Sequence, residues 1–150
     1  MPLLLAVGSC GSSDSSRLVL PDVNLRAMAN SQPVNASTLR GPALVNLWAT
    51  WCAPCRREIP DLQRLHDELG AKVRIVGINI GDDEASVTAF LDELGVTFEQ
   101  YLDSDGTVEV ALRVSGLPAT AVIDADGVVV EVHQGVLDTD GFRRLIDKNL

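Results

Sequence analysis

The stretch "NLWATWCAPCRREIP", residues 46–60, sets Cys52 and Cys55 three positions apart, where an apolar run gives way to a helical pattern. Before it, "ALVNLW" (43–48), bounded by Pro42, reads as a buried strand running into the cysteine loop. After it, Ile59, Leu62, Leu65, His66 and Leu69 fall on or near one helical face, and Gly70 is a stop signal. Pro60 lies inside that helix, where it removes a hydrogen bond and is expected to kink it. Such a cysteine pair trades electrons, holds a metal or fills space.

The position favours electron exchange. At a helix start, unpaired backbone N–H groups and the positive end of the helix dipole point at Cys52, which stabilises a thiolate and makes this sulfur the expected nucleophile. Pro54 fits the first turn, where a missing N–H does no harm, and stiffens the link between the sulfurs. Cys55, one turn on, lies beside Cys52 and can resolve the mixed disulfide that an attack creates. A structural zinc site needs about four ligands, and no second C-x-x-C or His pair is present. His66 is eleven residues beyond Cys55, about 16 Å along a helix. It reads as a half-buried helix residue and His133 as a strand-end surface residue. Inert core cysteines are the remaining alternative.

The rest of the chain is consistent with one domain of 150 residues. With 46% hydrophobic and 22% charged residues it is expected to fold. A net charge of −9, spread along the chain, argues against nucleic acid or an anionic membrane surface as partner. Three cysteines are too few for a disulfide-stapled scaffold.

Residues 18–41 read as an irregular strand pair and one helical turn, "VRIVGINI" (73–80) as a second buried strand, and "DDEASVTAFLDELG" as a helix with acidic residues in its first turn. A short extended piece around 98–102 and a brief helix near 106–113 form a connector. "ATAVIDADGVVVEVHQG" is a hairpin at Asp126-Gly127, followed by a last helix carrying Phe142, Leu145 and Ile146. The expected architecture is α/β: a central mixed sheet with helices on both faces and an N-terminal strand-pair extension. Asp82, Asp83 and Glu84 read as helix N-terminal charges. "DSDG" (103–106) and "DADG" (124–127) read as turns, since each lacks the rest of a calcium loop.

With the strand, the W-C-x-P-C helix start, Pro60 and "GLPAT" (116–120) in place, the chain resembles the thioredoxin superfamily over residues 18–148, and within it the extracytoplasmic, membrane-tethered TlpA/ResA branch. The resemblance implies a thioredoxin fold, Cys52 as exposed nucleophile and Cys55 as buried resolving thiol. It also implies Pro118 as a cis-proline facing the disulfide, with Leu117 helping to set the peptide-binding edge. Trp51, Ala53 and Pro54 complete the surface for a partner polypeptide, with Trp51 as an exposed lip and Trp48 in the core. Cytosolic thioredoxins carry a buried acid where this chain has Asn46. The ResA-like branch instead places a Glu three residues after the second cysteine, and Glu58 stands there, either as proton acceptor for Cys55 or as a solvated helix residue. Arg56 and Arg57 read as solvated surface side chains, the alternative being that they favour the thiolate locally.

"MPLLLAVGSCGSSDSS" (1–16) resembles the end of a lipoprotein signal peptide with Cys10 as the acylated residue, followed by a flexible Gly/Ser linker; the alternative is a ragged terminus with an incidental cysteine. Leu3 to Val7 is too short to span a bilayer. The expected domain is residues 17–150. The expected protein is an extracytoplasmic, lipid-anchored thiol-disulfide oxidoreductase, monomeric by default, needing no cofactor or metal. Its substrates would be cysteines of extracytoplasmic proteins, with apocytochrome c as the class the resemblance suggests, and a membrane or extracytoplasmic redox partner would recharge it. The competing readings are an oxidant that donates its disulfide to secreted proteins, a peroxiredoxin-like peroxidase, and a non-enzymatic binding or chaperone module.

Overall fold

A computed structural model describes residues 17–150, so the reading of Cys10 and the linker lies outside the described residues. Seven strands and four helices follow in the order β1 (Asn24–Ala27), β2 (Pro33–Asn35), β3 (Ala43–Trp48), α1 (Ala53–Leu69), β4 (Arg74–Ile80), α2 (Glu84–Leu94), β5 (Glu99–Asp103), α3 (Thr107–Ala111), β6 (Ala119–Ile123), β7 (Val129–Gln134) and α4 (Thr139–Asn149). One sheet holds all the strands, in the order β2-β1-β5-β4-β3-β6-β7.

β3 is buried at every position because it is an interior strand of this sheet, parallel to β4 on one side and antiparallel to β6 on the other, with helices over both faces. Its side chains alternate between two cores. Leu44 and Trp48 join Ile59, Leu62 and Leu65 of α1, Val87 and Phe90 of α2, and Phe142 and Leu145 of α4. Val45 and Leu47 face the other way, toward Val108 of α3, Ala36 of a short 3-10 turn (Ala36–Thr38) and Leu39 that follows it. Helices therefore cover both faces of a mixed sheet, which is a thioredoxin-like fold.

The helix ends follow the local chemistry. Asp83 caps α2 by accepting from the Ser86 N–H, and Gly95 ends it in the left-handed region at φ 65°. Asp138 caps α4 through the Gly141 N–H. α1 runs from Ala53 through Pro60 to Leu69. Both Asp-rich tetrads are turns: Asp103 accepts from the Thr107 and Val108 N–H groups, and Asp124 from those of Asp126 and Val128.

One sequence expectation needs correcting. The extended piece read as a connector is β5, a full member of the sheet, parallel to β4 and antiparallel to β1. It carries the N-terminal strand pair into the same sheet. Gln100 anchors this addition: its Oε1 accepts from the buried Trp48 indole N–H at 3.0 Å, in space left free because residue 77 is glycine. A Cβ at Gly77 would lie 2.2 Å from that oxygen.

Candidate active site: a disulfide at the start of a helix

Cys52 and Cys55 are joined in a disulfide whose Cα atoms are 5.2 Å apart. Cys52 is the N-cap of α1, and its sulfur accepts from the Cys55 N–H at 3.2 Å. The placement expected from sequence is therefore present: a sulfur at the end of a helix whose free N–H groups favour negative charge. The expected exposure of Cys52 needs correction. It is only 4% exposed against 0% for Cys55, and both belong to the core cluster that holds Trp48 and Phe90.

The other residues singled out in the sequence differ in exposure. Trp51 is 72% exposed, Ala53 is exposed and Pro54 is half-buried. The Leu117–Pro118 peptide is cis and directly precedes β6; Pro118 is buried, and its carbonyl accepts from the Gly135 N–H at 2.9 Å. Leu117 is half-buried and packs against both cores.

Three residues on from Cys55, Glu58 faces inward and is 1% exposed, so it is not a solvated helix residue. Asn46 Nδ2 donates to Glu58 Oε1 at 2.6 Å, and the Leu137 N–H donates to Oε2 at 2.7 Å. Burial nevertheless wins over these donors and pushes the carboxyl up to about 7, with nearby Asp61 adding a smaller push in the same direction. Asn46 cannot titrate, but it holds the group that can. The Asn46 amide also reaches Thr120 Oγ1 at 3.2 Å, while its Oδ1 has no hydrogen-bond partner among the described residues.

Arg56 is exposed, as read from the sequence, and its guanidinium also lies 4.7 Å from the centroid of Phe90, which packs on Trp48, and pairs with Glu93 at 3.0 Å. Asp82 is not a helix-end charge. Its Oδ2 accepts from the Thr50 N–H at 2.7 Å, two residues before Cys52. The Asn79-x-x-Asp82 spacing just past a buried strand was the available sequence signal for this contact. Leu137 could not have been found, because its backbone rather than its side chain does the work. His66 and His133 are half-buried, and no group of three or more His, Cys, Asp or Glu among the described residues could hold a metal ion.

A family model described as the AhpC/TSA family matches residues 18–132. The chain is 35% identical to the thiol-disulfide oxidoreductase ResA of Bacillus subtilis (strain 168) over 127 residues, covering 83% of this chain and 68% of ResA. This chain belongs to the AhpC/TSA family, on its branch of ResA- and DsbE-like thiol-disulfide oxidoreductases. The oxidoreductase is also 40% identical to the thiol:disulfide interchange protein DsbE of Pseudomonas fluorescens biotype C over 120 residues, covering 79% of this chain and 66% of that protein. In structure it is similar to a secreted disulfide oxidoreductase of Mycobacterium tuberculosis, itself described as homologous to Escherichia coli DsbE. The TM-score is 0.73, at 21% identity over 85% of this chain and 96% of that one, a likeness of fold. Such an enzyme exchanges thiols and disulfides with other proteins, and the Cys52–Cys55 pair is the redox element these residues provide.

Proposed function

We propose that the oxidoreductase works outside the cytoplasm as a reductant of protein disulfides. The observation that supports exchange at this pair is the buried Glu58 carboxyl, one helical turn from Cys55, held by Asn46 and the Leu137 N–H and raised to about 7; the reducing direction follows the resemblance in sequence. A group with that affinity accepts and releases a proton near neutral pH.

In the reduced enzyme, Cys52 is the thiolate favoured by the start of α1. Its sulfur attacks one sulfur of a substrate disulfide; an enzyme–substrate S–S bond forms and the other substrate sulfur leaves with the electron pair, taking up a proton. Cys55 then loses its proton to Glu58, directly or through water, and attacks Cys52. The Cys52–Cys55 bond forms, and the second substrate sulfur leaves as thiolate and is protonated. The substrate disulfide gains two electrons and the enzyme dithiol loses two. The apolar lip of Trp51 with Ala53, Pro54 and Leu117, beside Pro118, receives the substrate backbone. Apocytochrome c, whose haem-attachment cysteines must be reduced, is the substrate class in keeping with the resemblance in sequence.

Placement outside the cytoplasm is supported by the description of the M. tuberculosis neighbour as secreted and by the lipoprotein-like stretch ending at Cys10. No described helix is long and apolar enough to cross a membrane. In this reading the anchor is an acylated Cys10. The deciding experiment is the reduction potential of the pair, from residues 17–150 equilibrated with defined dithiothreitol or glutathione ratios. A value at or below about −250 mV is expected; one above about −150 mV would make the protein an oxidant that donates its disulfide.

A further inference from the structure

β3 and β4 leave the sheet side by side, with Trp48 paired in register with Asn79. A backbone N–H just past a strand end has lost its ladder partner and needs another acceptor. Thr50 finds one across the gap, in Asp82 Oδ2 at 2.7 Å. Asp82 is itself held in place. Asn79, 1% exposed, donates from Nδ2 to the same oxygen at 2.9 Å and accepts the Asp82 N–H on Oδ1 at 3.2 Å. Gly81, at φ 79°, supplies the left-handed bend between them. On its other side the turn closes on itself, since the Cys52 N–H donates to the Ala49 carbonyl at 3.2 Å. The residues between these bonds are Trp51, turned outward, and the start of the redox pair.

We propose that Asp82 is a positioning residue for disulfide exchange. Its carboxylate, seated by Asn79, clamps the Thr50 amide so that the Ala49–Cys52 turn presents Cys52 at the N-terminus of α1 and Trp51 beside it. Exchange needs the attacking sulfur aligned with both sulfurs of the substrate bond, so a small loss of order in the turn is felt in the rate. A hydrogen bond to a charged acceptor is the strong kind for holding such a turn. The inference rests on Cys52 being the attacking sulfur, as the reading above has it; the state of the Thr50 amide tests the clamp whichever sulfur attacks.

The test compares Asp82→Ala, which removes the acceptor, with Asp82→Asn, which keeps a side-chain oxygen for Thr50. In Asp82→Ala the Thr50 amide should exchange with D2O roughly tenfold to a hundredfold faster, the equivalent of one hydrogen bond to a charged group. The second-order rate constant of the reduced protein with insulin disulfides should fall about tenfold, consistent with misplacement of a reacting group. Asp82→Asn, which keeps an oxygen acceptor but not its charge, should recover part of both losses and fall between Asp82→Ala and the wild type. Wild-type protection at Thr50 in Asp82→Ala, or an Asp82→Asn protein as slow as Asp82→Ala, would overturn the proposal. If Asp82→Ala does not fold, Asn79→Ala, which unseats the carboxylate, should speed Thr50 exchange severalfold, and no change there would overturn it equally. Trapping the mixed disulfide identifies the attacking cysteine separately, so an error in that assignment is not mistaken for failure of the clamp.

Discussion

The chain on the two sides of the disulfide is held by different physics. Upstream, the Ala49–Trp51 turn is fixed at the rim by hydrogen bonds, from Thr50 to Asp82 and from Cys52 to Ala49, and Trp51 projects into solvent. Downstream, Cys55 and Glu58 are sealed in the core, and there the decisive quantity is desolvation, which raises the Glu58 carboxyl although two N–H groups donate to it. The upstream side can set where a sulfur stands. The downstream side can set when a proton moves, because only a buried carboxyl is displaced far enough to titrate near neutrality.

The sharpest way to break this division is to remove the sulfurs one at a time. Cys52→Ser should abolish attack altogether, with no covalent adduct on a substrate disulfide. Cys55→Ser should still attack and should accumulate the mixed disulfide, visible on a non-reducing gel and lost on adding dithiothreitol. Adduct with Cys52→Ser and none with Cys55→Ser would exchange the roles of the two sides.

The next largest effect concerns Glu58 and pH. Its folded pKa, about 7, lies above the ordinary value of 4.5, so between those values the folded protein binds more protons than the unfolded chain. Stability from this group is present below about pH 4.5 and is lost as pH rises through 7, by roughly 3 kcal/mol in all. Glu58→Gln cannot titrate, so the Tm of the oxidised variant relative to wild type should rise between pH 5 and pH 8. The new amide can still accept from Leu137, and Asn46, whose Oδ1 has no partner among the described residues, can turn to accept from it. Parallel Tm curves for the two proteins would remove desolvation as the distinguishing feature of the downstream side.

A third test falls on the sheet behind the site. Gly77→Ala should cost about 1–3 kcal/mol, because the methyl group meets Gln100 and displaces the acceptor of the Trp48 indole. Urea unfolding followed by tryptophan fluorescence measures it, and an unchanged midpoint would show that Gln100 moves without consequence. The smallest stability effect is expected at the rim: Trp51→Ala should change it by less than about 0.5 kcal/mol. KM for a protein disulfide should rise severalfold with little change toward a small disulfide. Equal losses toward both substrates would mean that Trp51 supports the turn rather than the partner.

Much of this architecture is legible along the chain because it depends on near neighbours. The run of apolar residues in 43–48, the spacing of Ile59, Leu62 and Leu65, the Asp83 and Gly95 helix ends and the Cys52–Cys55 spacing act over a few residues, and each appears where its chemistry places it. The Leu117–Pro118 peptide is cis, as the resemblance implied. Residues 98–102 were harder to read, because a five-residue strand with polar Glu99, Gln100 and Asp103 becomes a strand only through neighbours β4 and β1.

The sequence by itself determined the residue types of the site, the helix start that favours a thiolate, and the order of the strands and helices other than β5. Tertiary structure alone decided what those residues experience. Glu58 is three residues from Cys55, but its state depends on Asn46, twelve residues back, and Leu137, seventy-nine ahead. Asp82 touches Thr50 only because two parallel strands end side by side, and Cys52 is buried because it packs into the core that β3 and three helices build. Burial and partner choice are set by the folded whole, since desolvation depends on everything packed around a group and not on its neighbours in the chain.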